Sequence, residues 1–128
     1  MKRNDPFEGS YTERLSKHSL IIDYKAEGEC GMGGPTQGIL SLSDIGEFHQ
    51  AHPPVKISDL ENKLAFITWF YQDGGAKSKI HILNLETKNI IDFEIKFGAY
   101  SFITFNDNQI TILDTNNKKT TKINIEQF

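Results

Sequence analysis

The residues best equipped for chemistry begin with the glycine-rich stretch Gly28-Glu29-Cys30-Gly31-Met32-Gly33-Gly34-Pro35, followed some way on by His49 and His52. Closely spaced glycines can aim successive backbone N–H groups at a phosphate or oxyanion, and Cys30 is a potential nucleophile. The supporting residues are missing. No Gly-Lys-Ser/Thr follows, and Glu27 and Glu29 would repel an anion where a phosphate loop attracts one. The stretch therefore reads as a hairpin connection. His49-Gln50-Ala51-His52 spaces two imidazoles three residues apart, a separation that on a helix suits one metal ion with Cys30 or Glu47 as further ligands. Pro53 directly after His52 places the pair at a helix end, where the rings need not converge. His18 and His81 have no partner nearby in sequence and read as surface or hydrogen-bonded histidines. Acid, base and nucleophile do not gather around one motif, so no catalytic residue, metal or cofactor is expected. The alternative is a small-molecule or nucleotide-binding β-barrel or enzyme with Cys30, His49 and His52 at its mouth.

The elements that would position these groups are mostly strands. Ile91-Asp92-Phe93-Glu94-Ile95-Lys96-Phe97 alternates apolar and charged residues, as a half-buried strand does, whereas Ala65-Phe66-Ile67-Thr68-Trp69-Phe70-Tyr71 is apolar on both faces and suits a covered central strand. The region repeats. Ala65 to Phe70 answers to Ser101 to Asn106, Ile80 to Asn84 answers to Ile110 to Asp114, and Ile91 to Ile95 answers to the Lys122 to Ile125 region. Turn residues fall between them at Gln72 to Gly75, Glu86 to Asn89, Asn106 to Asn108 and Thr115 to Lys118. Upstream, Ser19 to Tyr24 and Gly38 to Leu42 form a candidate hairpin, and Ser43 is placed to cap one short helix running to Gln50.

The expected fold is all-β and mainly antiparallel: two repeated three-stranded meanders plus an N-terminal hairpin, with at most one short helix. Within a single domain over 1–128, residues 1–17 are a lead-in, 18–62 an irregular acidic half, and 63–128 the repeated meander half. Ile80 to Lys88 resembles a strand and turn of a β-propeller blade. A chain of 128 residues cannot supply a closed propeller, which leaves a sandwich, open barrel or partial-propeller arrangement. Lys96 to Phe105 resembles the third-strand signature of the RNA-recognition motif, with Tyr100 and Phe102 in the stacking positions. The same Phe-Ile-Thr-aromatic string recurs at Phe66 to Trp69, so repeated core sequence explains it better.

Composition narrows the classes. Fourteen Lys and Arg against seventeen Asp and Glu give a net charge of −3, which does not suit bulk nucleic-acid binding. No apolar run approaches the ~20 residues of a membrane helix, the N-terminus lacks the apolar stretch of a secretory signal, and the single Cys30 fits a reducing compartment. A cytoplasmic location is expected. Sixteen Ile against one Val, with twelve Lys and nine Asn, imply AT-rich codons of a kind common in some bacteria. Between Ala26 and Glu61 lie the six acids Glu27, Glu29, Asp44, Glu47, Asp59 and Glu61 against the one base Lys56, whereas from Ala65 onward seven acids balance seven bases. An acidic, loop-rich surface on a neutral β scaffold suits a partner with a basic surface.

In this profile the chain resembles the immunity proteins that neutralise bacterial toxins, such as those of contact-dependent growth inhibition systems. The resemblance implies protein–protein interaction with a cognate toxin domain, often a nuclease, whose basic cleft the acidic set would occupy; no direct nucleic-acid or membrane contact is implied. Tyr24 and Phe48 are the candidate aromatic anchors of that contact.

Overall fold

The computed structural model describes residues 10–29, 36–58, 62–72, 75–95, 101–106, 109–114 and 119–125. Among the described residues ten strands follow in order: β1 (Tyr11–Leu15), β2 (Leu20–Glu29), β3 (Thr36–Leu42), β4 (Gly46–Ile57), β5 (Lys63–Gln72), β6 (Gly75–Asn84), β7 (Ile90–Ile95), β8 (Ser101–Asn106), β9 (Gln109–Asp114) and β10 (Lys119–Asn124). Strands β1 to β7 form one antiparallel meander in sequence order, and β8 to β10 form a second, three-stranded one. The first sheet is not closed into a barrel, because β1 and β7 remain its two edges.

The expected repeat is present: β5–β6–β7 and β8–β9–β10 are successive antiparallel meanders. The upstream region is more regular than its composition suggests. The β2–β3 hairpin continues past Tyr24 to a Glu29↔Thr36 pair, and β4 joins it to the first repeat, so the segment read as an irregular half is mostly sheet. Residues 11–15, read as part of a lead-in, are strand β1. Its Tyr11 and Leu15 are buried while Thr12 and Arg14 are exposed, and two anchors around a polar middle are too few to stand out as a period.

The helix expected from Ser43 is replaced by a tight turn, Ser43 to Ile45, with Asp44 left-handed at φ 62° and Leu42 paired to Gly46. Ser43 bonds sideways to β2 instead of capping: its Oγ accepts from the Ile21 N–H at 2.8 Å, and its own N–H donates to the Ile21 carbonyl at 3.1 Å. Pro53-Pro54 likewise terminate nothing. They fall inside β4, where the ladder to β5 skips from His52↔Ile67 to Lys56↔Ala65, at residues with no N–H to donate. One 3₁₀ turn, Ser16–His18, connects β1 and β2.

Two apolar clusters flank the large sheet. The first gathers Leu15, Leu20, Ile22, Tyr24, Leu40, Leu42 and Ala51 from β1–β4 with Leu64, Phe66 and Leu83 from β5 and β6. The second joins Ala65, Ile67, Ile80, Ile82 and Ile95 of the large sheet to Ile103, Ile110 and Ile112 of the small one, with Ile125 just past β10. The two sheets therefore pack face to face across the second cluster, as in a sandwich. Among the described residues, no helix is long and apolar enough to cross a membrane.

One glycine is set by close backbone approach. β2 carries an extra residue between the Ala26↔Gly38 and Gly28↔Gln37 pairs, and a Cβ on Gly38 would lie 2.0 Å from the Lys25 carbonyl oxygen. Backbone must move to admit it. Gly38→Ala is expected to lower unfolding stability by about 2–3 kcal/mol, in the range of overpacked interiors, as read from the urea midpoint at unchanged slope.

Candidate functional site

One face of β5–β7, where the first apolar cluster ends, carries a hydrogen-bonded row that crosses three strands. β5 and β6 pair in a register that sets Phe66 opposite His81, and β6 and β7 set His81 opposite Asp92. Thr68 lies two residues beyond Phe66 on the same face. Its Oγ1 is 2.7 Å from His81 Nε2, and His81 Nδ1 is 2.6 Å from Asp92 Oδ1. An ionised carboxylate only accepts, so Nδ1 carries the proton and donates to Asp92; Nε2 is then the acceptor, and the Thr68 hydroxyl donates to it. The order hydroxyl, imidazole, carboxylate is that of a general-base relay.

The ring between them is held rigidly. Phe66 stacks on His81 at 4.8 Å and 13°, and Phe48 from β4 tilts against it at 5.6 Å. His81 is buried, while the Asp92 side chain is 49% exposed, so the relay connects the interior to solvent. Burial lowers the His81 pKa below its ordinary 6.5; the Asp92 carboxylate opposes that shift and the Lys79 ammonium adds to it. On the same face Lys79 stands opposite Thr68, with its ammonium 5.1 Å from the Phe70 ring centre, and Lys77 pairs with Glu94 at 3.8 Å.

The folded pKa lies below the unfolded value, so the unfolded chain binds the extra proton first as pH falls. Stability from the neutral His81 is thus fully present above about 6.5 and is lost progressively as pH drops toward the folded pKa. Urea unfolding at pH 7.5 and pH 5 is expected to show this loss in the parent chain. His81→Gln removes this contribution to the pH dependence at the expense of some stability at both values.

A second feature lies on the opposite, outward face of β2–β4. Asp23, Ser41 and Glu47 stand in register across the three strands. With Asp44 in the turn, the three acids line, together with Ile21 and Ile45, an open depression of about 500 Å³. Ile21 is 36% exposed there, an unusual setting for isoleucine between carboxylates. Thr12 Oγ1 donates to Asp23 Oδ1 at 2.7 Å and orients that carboxylate.

The residues expected from sequence are distributed unevenly. Asp44 and Glu47 meet at the depression. Glu27 is exposed but sits at the β2 irregularity, roughly 13 Å along the strand from Asp23 at the usual rise. Glu29 ends β2, and Asp59, Glu61 and Cys30 lie outside the described residues. Tyr24 is no surface anchor: at 1% exposure it belongs to the first cluster, against Tyr11 at 5.7 Å, because the even positions of β2 face inward. Phe48 is half-buried, with its ring edge-on to Phe66 at 4.8 Å.

His49 and His52 lie on a strand, not a helix, and do not form a pair. His49 is exposed and 3.9 Å from Glu47, whereas His52 is buried and stacks with Trp69 at 6.3 Å. Among the described residues, no group of three or more His, Cys, Asp or Glu side chains is placed to share a metal ion.

Sequence reasoning missed Asp23, which precedes the acidic window, and the whole Thr68–His81–Asp92 row. A signal for the row existed. Pairing Gln72 with Gly75, as the turn residues between them invite, sets Phe66 opposite His81 and brings Thr68 within reach. Compared with known protein families, curated proteins and solved structures, the chain matches none.

Proposed function

We propose that the chain is a binding protein that neutralises a cognate bacterial toxin domain by seating part of that domain's basic surface on the outward face of β2–β4. The observation that carries this reading is the depression in which Asp23, Asp44 and Glu47 surround exposed Ile21 and half-buried Ile45. An apolar centre with carboxylates around it accepts a Lys or Arg side chain well: the aliphatic stem covers the isoleucines and the cationic head reaches the acids. Charge complementarity also speeds encounter and rejects acidic competitors. Asp23 replaces Tyr24 in the contact set, and exposed Glu27 extends it toward the far end of β2. A toxin nuclease is the favoured partner class, because a cleft that receives nucleic acid is necessarily basic.

The test is titration calorimetry against the toxin domain encoded beside this gene, together with protection of cells expressing that domain. The parent chain is expected to bind and protect. The triple reversal Asp23→Lys, Asp44→Lys and Glu47→Lys is expected to weaken binding at least 100-fold and to abolish its salt dependence. Undiminished affinity after reversal would remove the electrostatic mechanism, and failure of the parent chain to bind would remove the immunity reading.

A further inference from the structure

The relay on β5–β7 lies apart from the acidic depression and calls for a chemistry of its own. We propose that Thr68 is an activated nucleophile that accepts an acyl group from a small, largely apolar ester, with His81 as its general base and Asp92 as the positioning residue. Three observations converge. The hydroxyl, imidazole and carboxylate are joined in that order at 2.7 and 2.6 Å. The tautomer imposed by Asp92 leaves Nε2 free to take a proton only from the Thr68 hydroxyl. Finally, Lys79 stands directly opposite Thr68 in the β5–β6 register, with its ammonium over the neighbouring Phe70 ring at 5.1 Å, so that a cation shares the face on which negative charge would develop.

The step balances without a further reactant. Thr68 Oγ1 bonds to the ester carbonyl carbon as its proton passes to His81 Nε2, and the negative charge moves to the carbonyl oxygen, on the face that carries Lys79. Collapse breaks the carbon–oxygen bond to the leaving group, which departs with the proton from His81, leaving an acyl-threonine and an alcohol. The surroundings select the substrate class. Phe48 packs on His81 and Phe70 under Lys79, so the neighbourhood is aromatic, while Asp92 and Glu94 share the face with Lys77 and Lys79, a balance that disfavours a phosphate dianion and tolerates a neutral ester. The lowered His81 pKa keeps the base neutral at pH 7.

The experiment treats the full chain with p-nitrophenyl acetate, follows nitrophenolate release, and maps the acetyl group by peptide mass spectrometry. Acetylation of Thr68 is expected at least 100-fold faster than of other hydroxyls, the scale of general-base assistance. The rate should rise with pH along a curve centred below the ordinary histidine value. Thr68→Val, which keeps the side-chain shape, should abolish labelling at that peptide. Asp92→Asn should slow Thr68 labelling at least tenfold while circular dichroism remains that of the parent. His81→Gln should reduce labelling to background, and if that variant does not fold, the Asp92→Asn rate decides. Acetyl groups confined to lysines, or Thr68 labelling unchanged in Asp92→Asn, would overturn the proposal. Neither result bears on toxin binding, which is read separately at Asp23, Asp44 and Glu47.

Discussion

The burial of β5 and β6 on both faces is the constraint on which the rest of the structure depends. Leu64, Phe66 and Leu83 point into one apolar cluster while Ala65, Ile67, Ile80 and Ile82 point into the other. Each face alone would leave a half-covered sheet, and together they tie the upstream strands and the small sheet to the same pair of strands. A one-residue slip between β5 and β6 would exchange the two sets and turn His81 from its aromatic setting into the isoleucine cluster. The register of a single hairpin therefore protects both cores and the polar row.

That row occupies the place where the first cluster gives way to solvent. β7 is an edge strand whose inner face, through Phe93 and Ile95, packs on the second cluster, while Asp92 and Glu94 face outward. A histidine one strand further in must be desolvated, and it stays polar only because Thr68 and Asp92 satisfy both ring nitrogens. The acidic depression arises differently, from the sharp turn at Asp44. It folds Ser43 back onto Ile21 and leaves that isoleucine partly uncovered among three carboxylates.

Legibility in the sequence followed the strength of local patterning. The repeated meanders were readable because Ile-x-Ile alternation and turn residues recur together, and the Glu86 to Asn89 turn is held as its residues suggest, with Asn84 Oδ1 accepting from the Glu86 and Thr87 N–H groups. The short helix is not formed because the sequence from Ser43 to Gln50, which fits a capping pattern, fits a turn followed by a strand equally well; the bonds to Ile21 decide between them. Tyr24 was misplaced for a related reason. An aromatic beside charged neighbours fits a surface anchor or an inward position, and only the pairing with β1 and β3 tells which face it takes.

Sequence alone determined the β class, the repeat, the turn positions and the concentration of acidic residues upstream, since each depends on side-chain period or on charge counted along the chain. Tertiary structure decided which acids share a surface, which aromatics are buried, and that Thr68, His81 and Asp92 touch. Those three residues are separated by thirteen and eleven positions. Their contact is a property of inter-strand register, which no local pattern encodes until the strands have paired.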